Sequence, residues 1–259
     1  YEHIEVEKIK DEFSENIKNF ENSKNVEEQC EYFDKIIKLR NYVDTMQTLV
    51  SIRHSIDTTD KFYDKENEYM DEISPILFGF TNDFYKALVN SKFKKELIQK
   101  YGKFLFDLAE NTLKTFSSEV IPDFQEENRL TSKYEKLIAS AKIEFDGKEL
   151  NLSQMVPYTQ SKDRNMRIEA AKKVANFFSE NKEEFDNIYD SLVKVRDKMA
   201  KKLGYKNYVE FGYKRLSRLE YDAKMVAGYR KQVLENIVPI HTELRKRQEK
   251  RLGVKKLRF

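Results

Sequence analysis

Phe185, Ile188, Leu192, Val195, Met199 and Leu203 follow one another at alternating steps of three and four residues. That spacing puts six apolar side chains on one face of an α-helix, with Lys and Asp mostly opposite. Such a stripe is a packing surface, so Leu192, Val195 and Met199 are expected between helices. Gly204 follows, where a helix C-terminus favours a left-handed residue. Upstream, the Asp163 carboxylate can accept from the free N–H groups of a first turn. Arg167, Ala171, Val174 and Phe178 then recur at helical spacing. Nothing between Ser161 and Tyr213 reads as chemistry.

The rest of the chain repeats this pattern. Val6, Ile9, Phe13, Ile17 and Phe20 mark a first helix, and Ile36, Leu39, Val43, Met46 and Val50 a second. Asp57-Thr58-Thr59-Asp60 interrupts the run, with Thr59 or Asp60 placed to cap the next helix. That helix runs through Phe62, Tyr69 and Ile73 to a kink or restart expected at Ser74-Pro75, because proline lacks the N–H and disfavours helix before it. Phe80, Phe84 and Leu88 continue a helical face, and Asn90 and Ser91 offer a cap before Phe93, Leu97 and Tyr101. Gly102 is an expected break. Phe104, Leu108 and Phe116 carry a helix to Ile121-Pro122, and Leu130, Tyr134, Leu137 and Ile138 another to Ser140.

One segment departs from the helical period. Ile143 and Phe145 alternate with polar residues, Asp146-Gly147 comes next, and Leu150 and Leu152 alternate again. Asp-Gly suits a two-residue type I′ turn, which needs positive φ at both positions, so a short β-hairpin is expected near 142–152. A lone hairpin is marginal in water, so it is expected to lie against helices or a strand from elsewhere in the chain. After it, a short helix capped near Asn207 spans Tyr205 to Leu216. A last long one, capped by Asp222, runs through Met225, Tyr229, Val233 and Ile237, kinks at Pro239 and ends near Gly253. The fold class is mainly α, a multi-helix array with one hairpin. Residues 1–141 are expected to form an N-terminal helical lobe, and residues 142–259 the hairpin and long-helix segment.

Composition bears on partners and compartment. Charged residues are 36% and hydrophobic ones 39%, the balance of long helices that each bury one stripe. With 18 Phe and 15 Tyr the chain has enough apolar surface to fold. The single cysteine, Cys30, excludes an internal disulfide and a Cys-rich zinc site, and reads as a small buried side chain. No signal peptide or run of about 18 apolar residues occurs, so the expectation is a cytoplasmic protein without a membrane span. Asn151-Leu152-Ser153 matches a glycosylation sequon that carries weight only in a secreted chain. The chain begins at Tyr1 without Met, and a true N-terminus upstream is expected. Net charge is +3, yet residues 242–259 hold eight basic and two acidic residues. A patch like this is more often a solvated helix face than a nucleic-acid site, and aromatics do not interleave with it, so no nucleic-acid partner is expected.

Catalytic constellations are sparse. A zinc peptidase of the HExxH type needs two His on one helical face with a Glu between them. Here there are only His3, His54 and His241, and no such motif. His54 and Asp57 sit at i, i+3 and can pair, as a structural hydrogen bond more often than as ligands. Glu126-Glu127 and Glu183-Glu184 are carboxylate pairs that 45 acids produce by chance. There is no phosphate loop, nucleophile elbow or dinucleotide turn. Arg215, Arg218 and Tyr221 are the candidate substrate-binding residues, since Arg takes a peptide carboxylate in a bidentate fork. Helix-end ion pairs are the competing reading. No catalytic or metal residue and no cofactor is assigned to these 259 residues.

Asp163-Arg164, Arg167, Ala170-Ala171, Ile188-Tyr189, Leu192-Val193, Arg196, Ala200 and Leu203-Gly204-Tyr205 together resemble the N-terminal half of an M3-family zinc oligopeptidase, in its oligoendopeptidase F branch. The resemblance continues through Tyr213, Arg215, Arg218, Tyr221, Tyr229-Arg230, Val238-Pro239, Gln248 and Arg251-Leu252-Gly253. Upstream it includes Arg53 to Thr58, Asp60 to Asp64 and Ile143 to Lys148. It implies a mainly helical enzyme with a deep channel between two halves, which admits short peptides. In such enzymes HExxH and a later Glu hold zinc, which polarises the scissile carbonyl and lowers the pKa of the attacking water. None of those positions falls on this sequence. The resemblance therefore implies a non-catalytic N-terminal fragment forming one channel wall. The chain alone would be inactive, its partner the C-terminal catalytic half in cis or in trans, with zinc and oligopeptide substrates belonging to the full-length enzyme. The alternative is a stand-alone helical scaffold or interaction protein, and the reading frame beyond Phe259 separates the two.

Overall fold

The computed structural model describes residues 1–257. Three long helices build its first layer: α1 (Val6–Asn22), α2 (Val26–Ile56) and α3 (Lys61–Val89). Their ends are set by polar side chains. The Asn25 side chain accepts from the N–H of Glu28 at 2.8 Å, and Asp60 accepts from Phe62 and Tyr63 at 2.9 and 3.1 Å. Each satisfies N–H groups that a first turn leaves free. Phe20, Ile36, Phe84 and Leu88 are fully buried between these helices, and the Phe84 ring lies 5.8 Å from Phe20 and 5.7 Å from Phe33. Two short helices, α4 (Lys94–Tyr101) and α5 (Lys103–Thr112), close this core with Leu97 and Phe106 and are separated by Gly102.

Helix α3 does not break at Pro75; it runs on to Val89. Proline removes the N–H that would bond the carbonyl four residues back. That carbonyl belongs to Asp71, and it accepts instead from Asn128 Nδ2 at 2.9 Å. Gln125 Nε2 likewise donates to the Glu72 carbonyl at 2.8 Å. Both donors lie on α6 (Ile121–Ala139), so a neighbouring helix supplies what the proline withholds.

Further differences from the sequence reading have packing reasons. Helix α5 ends at Thr112 rather than continuing to Ile121, so Phe116 reaches the core from a loop. Phe104, expected on the packed face, is 65% exposed, and Phe106 and Ala109 are buried instead. On α6 the buried residues are the acids Asp123 and Glu127.

The hairpin forms as expected. Strands β1 (Ile143–Phe145) and β2 (Lys148–Leu150) pair antiparallel with Ile143 opposite Leu150. Asp146 and Gly147 take φ of 52° and 69°. Ile143 and Leu150 are buried against Met155 of α7 (Leu152–Thr159) and Ala170 of α8 (Arg164–Glu180). On α8, Ala170, Val174 and Phe177 pack inward against this hairpin, so of the expected face Val174 is covered while Ala171 and Phe178 are exposed.

Helix α9 (Lys182–Lys202) lies along α6. Ile188, Val195 and Met199 of its stripe are buried, whereas Leu192, in the middle of the stripe, is only half-buried. Met199 and Ala200 pack with Phe116, Val120 and Phe211, the last on α10 (Tyr208–Arg215). The chain then forms α11 (Ala223–Gln232), a π-helical turn at Val233–Ile237 just before Pro239, and α12 (Val238–Leu252). None of these residues is buried. Among the described residues no helix is long and apolar enough to cross a membrane.

Candidate functional site

A cleft of about 520 Å³ opens where α2, α3, α6 and the end of α10 converge. Arg40 and Asp44 reach it from α2, Tyr85 from α3, Phe124 from α6, and Lys214 and Arg215 from α10. The end of α10 is held there by Asn111, whose Nδ2 donates to the Lys214 carbonyl at 2.8 Å. Ser217 turns the chain away with a φ of 52°. Its N–H bonds the Lys214 carbonyl and the next N–H bonds the Tyr213 carbonyl, a Schellman closure built without glycine.

Arg215 is the sequence candidate that enters this cleft. Its guanidinium meets both oxygens of Glu127, at 3.1 and 2.9 Å, and lies 5.0 Å from the Phe124 ring centre. Arg196 Nε donates to the same carboxylate at 2.6 Å. Burial works against the charge of Arg215, but the Glu127 pairing outweighs it and raises its pKa. One turn earlier on α6, Asp123 is 2% exposed and meets Lys198 at 2.7 Å and Lys202 at 2.5 Å. Burial pushes the Asp123 carboxyl up, yet the two lysines together hold it below the usual carboxylate range.

Sequence reasoning misses these acids because adjacent carboxylates are common on helix surfaces. A signal is present all the same: after Val120 and Phe124 the apolar period calls for a core residue near 127, and the chain supplies Glu127. Both Glu127 oxygens are engaged by guanidinium groups, which makes the carboxylate a poor general base. The cluster instead ties α6 to α9 and α10.

Arg218 and Tyr221 are not brought to Glu127. The Arg218 guanidinium stacks 4.5 Å from the Tyr213 ring centre and 5.7 Å from that of Tyr221, at the mouth of a shallower depression of about 790 Å³. His54 does not pair with Asp57. It is buried and its Nε2 lies 3.3 Å from Asp64 Oδ1, while Asp57 accepts from the N–H and hydroxyl of Thr59 at 2.9 and 2.6 Å. His3 meets Glu66 at 2.8 Å, and His241 sits on exposed α12. Among the described residues no group of three or more His, Cys, Asp or Glu is placed to hold a metal ion, so these residues do not fit a catalytic zinc.

Residues 1–116 match the family model of the peptidase M3 N-terminal domain. A crystal structure described as an oligoendopeptidase F from Bacillus anthracis str. Ames is 50% identical, with a TM-score of 0.97 over 100% of this chain and 48% of its own. PZ peptidase A, solved with an inhibitor, is also 50% identical, with a TM-score of 0.96 over 100% of this chain and 46% of its own. A third structure, described as an oligoendopeptidase F, is 46% identical with a TM-score of 0.96. No match came from the curated proteins. The chain spans about half the length of the solved structures it matches.

Proposed function

The chain resembles the N-terminal half of the M3-family oligoendopeptidase F proteins along its whole length, and from this we propose that it forms a non-catalytic wall of a peptide channel. The complete protein is a zinc endopeptidase that hydrolyses short peptides. Zinc is held by residues beyond these 259, and this half contributes shape and contacts to the channel. The observation that carries this reading is 50% identity over 100% of the chain against about half of a solved oligoendopeptidase F.

The last helices support it. Met225, Tyr229, Ile237 and Ile240 are each more than half exposed. Apolar side chains so placed along one helical segment are a surface for further protein to cover. The occupant in this reading is the C-terminal half.

The test uses the 259-residue chain and the complete reading frame in parallel. The chain alone is expected to carry no stoichiometric zinc and to leave a fluorogenic oligopeptide intact. The continuation, in cis or co-expressed as a second chain, restores both. Zinc-dependent turnover by the purified 259 residues, surviving removal of contaminating proteases, overturns the reading.

A further inference from the structure

We infer that the cleft between α2, α3, α6 and α10 binds a small organic monocarboxylate with an apolar side chain, the class to which the C-terminal residue of a short peptide belongs. The peptide identity rests on the channel reading above; the carboxylate site rests on the cleft itself. Its volume of about 520 Å³ lies within the range of small-molecule sites. Three cationic residues line it, Arg40, Lys214 and Arg215, of which Lys214 also borders the neighbouring depression. Arg215 is committed to Glu127. The other two make no direct ion pair: Arg40 donates to the Tyr85 hydroxyl at 3.2 Å and stacks 5.3 Å from its ring centre, and neither Arg40 nor Lys214 lies in salt-bridge contact with a carboxylate among the described residues.

Both side chains are half-buried. A cation partly removed from water with no carboxylate in direct contact is under-compensated, and an incoming carboxylate supplies charge-assisted hydrogen bonds to it. Phe78, Tyr85 and Phe124 give the cleft apolar walls for the rest of the ligand. Asp44, one turn beyond Arg40 on α2, also lines the cleft. Its negative charge disfavours a dianion such as phosphate and leaves a monoanion as the better fit.

The probes are N-acetyl-phenylalanine, its C-terminal amide and inorganic phosphate, titrated into the 259-residue chain by calorimetry at low salt. The carboxylate is expected to bind, and the amide and phosphate to bind at least about tenfold more weakly, the scale of one charge-assisted hydrogen bond. Arg40→Gln and Lys214→Gln each weaken carboxylate binding by about tenfold, while Lys231→Gln on α11, outside the cleft, leaves it unchanged. If Arg40→Gln lowers the melting temperature, Lys214→Gln carries the test, since the Lys214 side chain makes no hydrogen bond among the described residues. No binding, equal binding of the amide or of phosphate, or indifference to Lys214→Gln overturns the site. Peptidase assays of the complete enzyme are separate, so failure of the channel reading and failure of this site are distinguishable.

Discussion

Asn128 Nδ2 lies 2.9 Å from the backbone carbonyl of Asp71, the acceptor that Pro75 leaves without a donor inside α3. The same amide nitrogen is 3.0 Å from Ser74 Oγ. A half-buried side chain on α6 thus keeps α3 continuous through a proline, and α3 is the wall from which Tyr85 and Phe78 face the cleft.

Asn128→Ala should therefore cost about 1–3 kcal/mol, the penalty for an unsatisfied buried acceptor. In a Pro75→Ala background the backbone N–H returns, and the same substitution should cost measurably less. Chemical denaturation of the four proteins of this cycle checks it; additive costs would show that Asn128 does not replace the proline's missing bond.

Met199→Ala should destabilise by roughly 2–5 kcal/mol, because Met199 is fully buried among Phe116, Val120 and Phe211. Leu192→Ala should cost less, since Leu192 keeps part of its surface in water. Equilibrium unfolding of both variants ranks them, and equal losses would mean that Leu192 is covered in solution.

Acid should unfold the protein partly through Asp123. Its carboxyl is buried but held below the ordinary range by Lys198 and Lys202. A carboxyl depressed in the folded state adds stability that is complete above its unfolded pKa and is lost as pH falls through the folded value. Asp64, lowered chiefly by its hydrogen bond with Lys136, acts in the same direction. Asp71 opposes them: burial raises its pKa, so its contribution is present at low pH and lost as pH rises through the raised value. Asp123→Asn should lower stability at neutral pH and flatten the fall below about pH 4. Melting temperatures across pH 3–8 for both proteins test this, and parallel acid limbs would count against Asp123.

Ser217→Gly should raise stability by about 0.5–1 kcal/mol, because φ of 52° carries a Cβ penalty that glycine escapes. Gly204 and Gly253 already occupy the equivalent place after α9 and α12, with φ of 83° and 66°. A melting temperature at or below that of the parent chain would mean that the Ser217 side chain contributes something to this corner beyond its conformation.

Local signals in the sequence determined most of the secondary structure. Apolar period, Asp60, Asp163, Asn207 and Asp222 as caps, and Asp146-Gly147 as a turn are choices a few neighbouring residues make by steric and hydrogen-bonding limits of their own. The order of weak motifs was enough for the resemblance to oligoendopeptidase F. Whatever depended on a partner distant in sequence was decided only by packing. Pro75 reads as a break until Asn128, 53 residues on, meets the Asp71 carbonyl 57 residues before it. Glu127 reads as one surface acid among many until α9 and α10 bring Arg196 and Arg215 against it. His54 finds Asp64 across a helix junction and not Asp57 on its own helix. A side chain's periodicity says that it shares a face with its neighbours. Which face is covered, and which charge meets which, is set by how helices far apart in sequence cross one another.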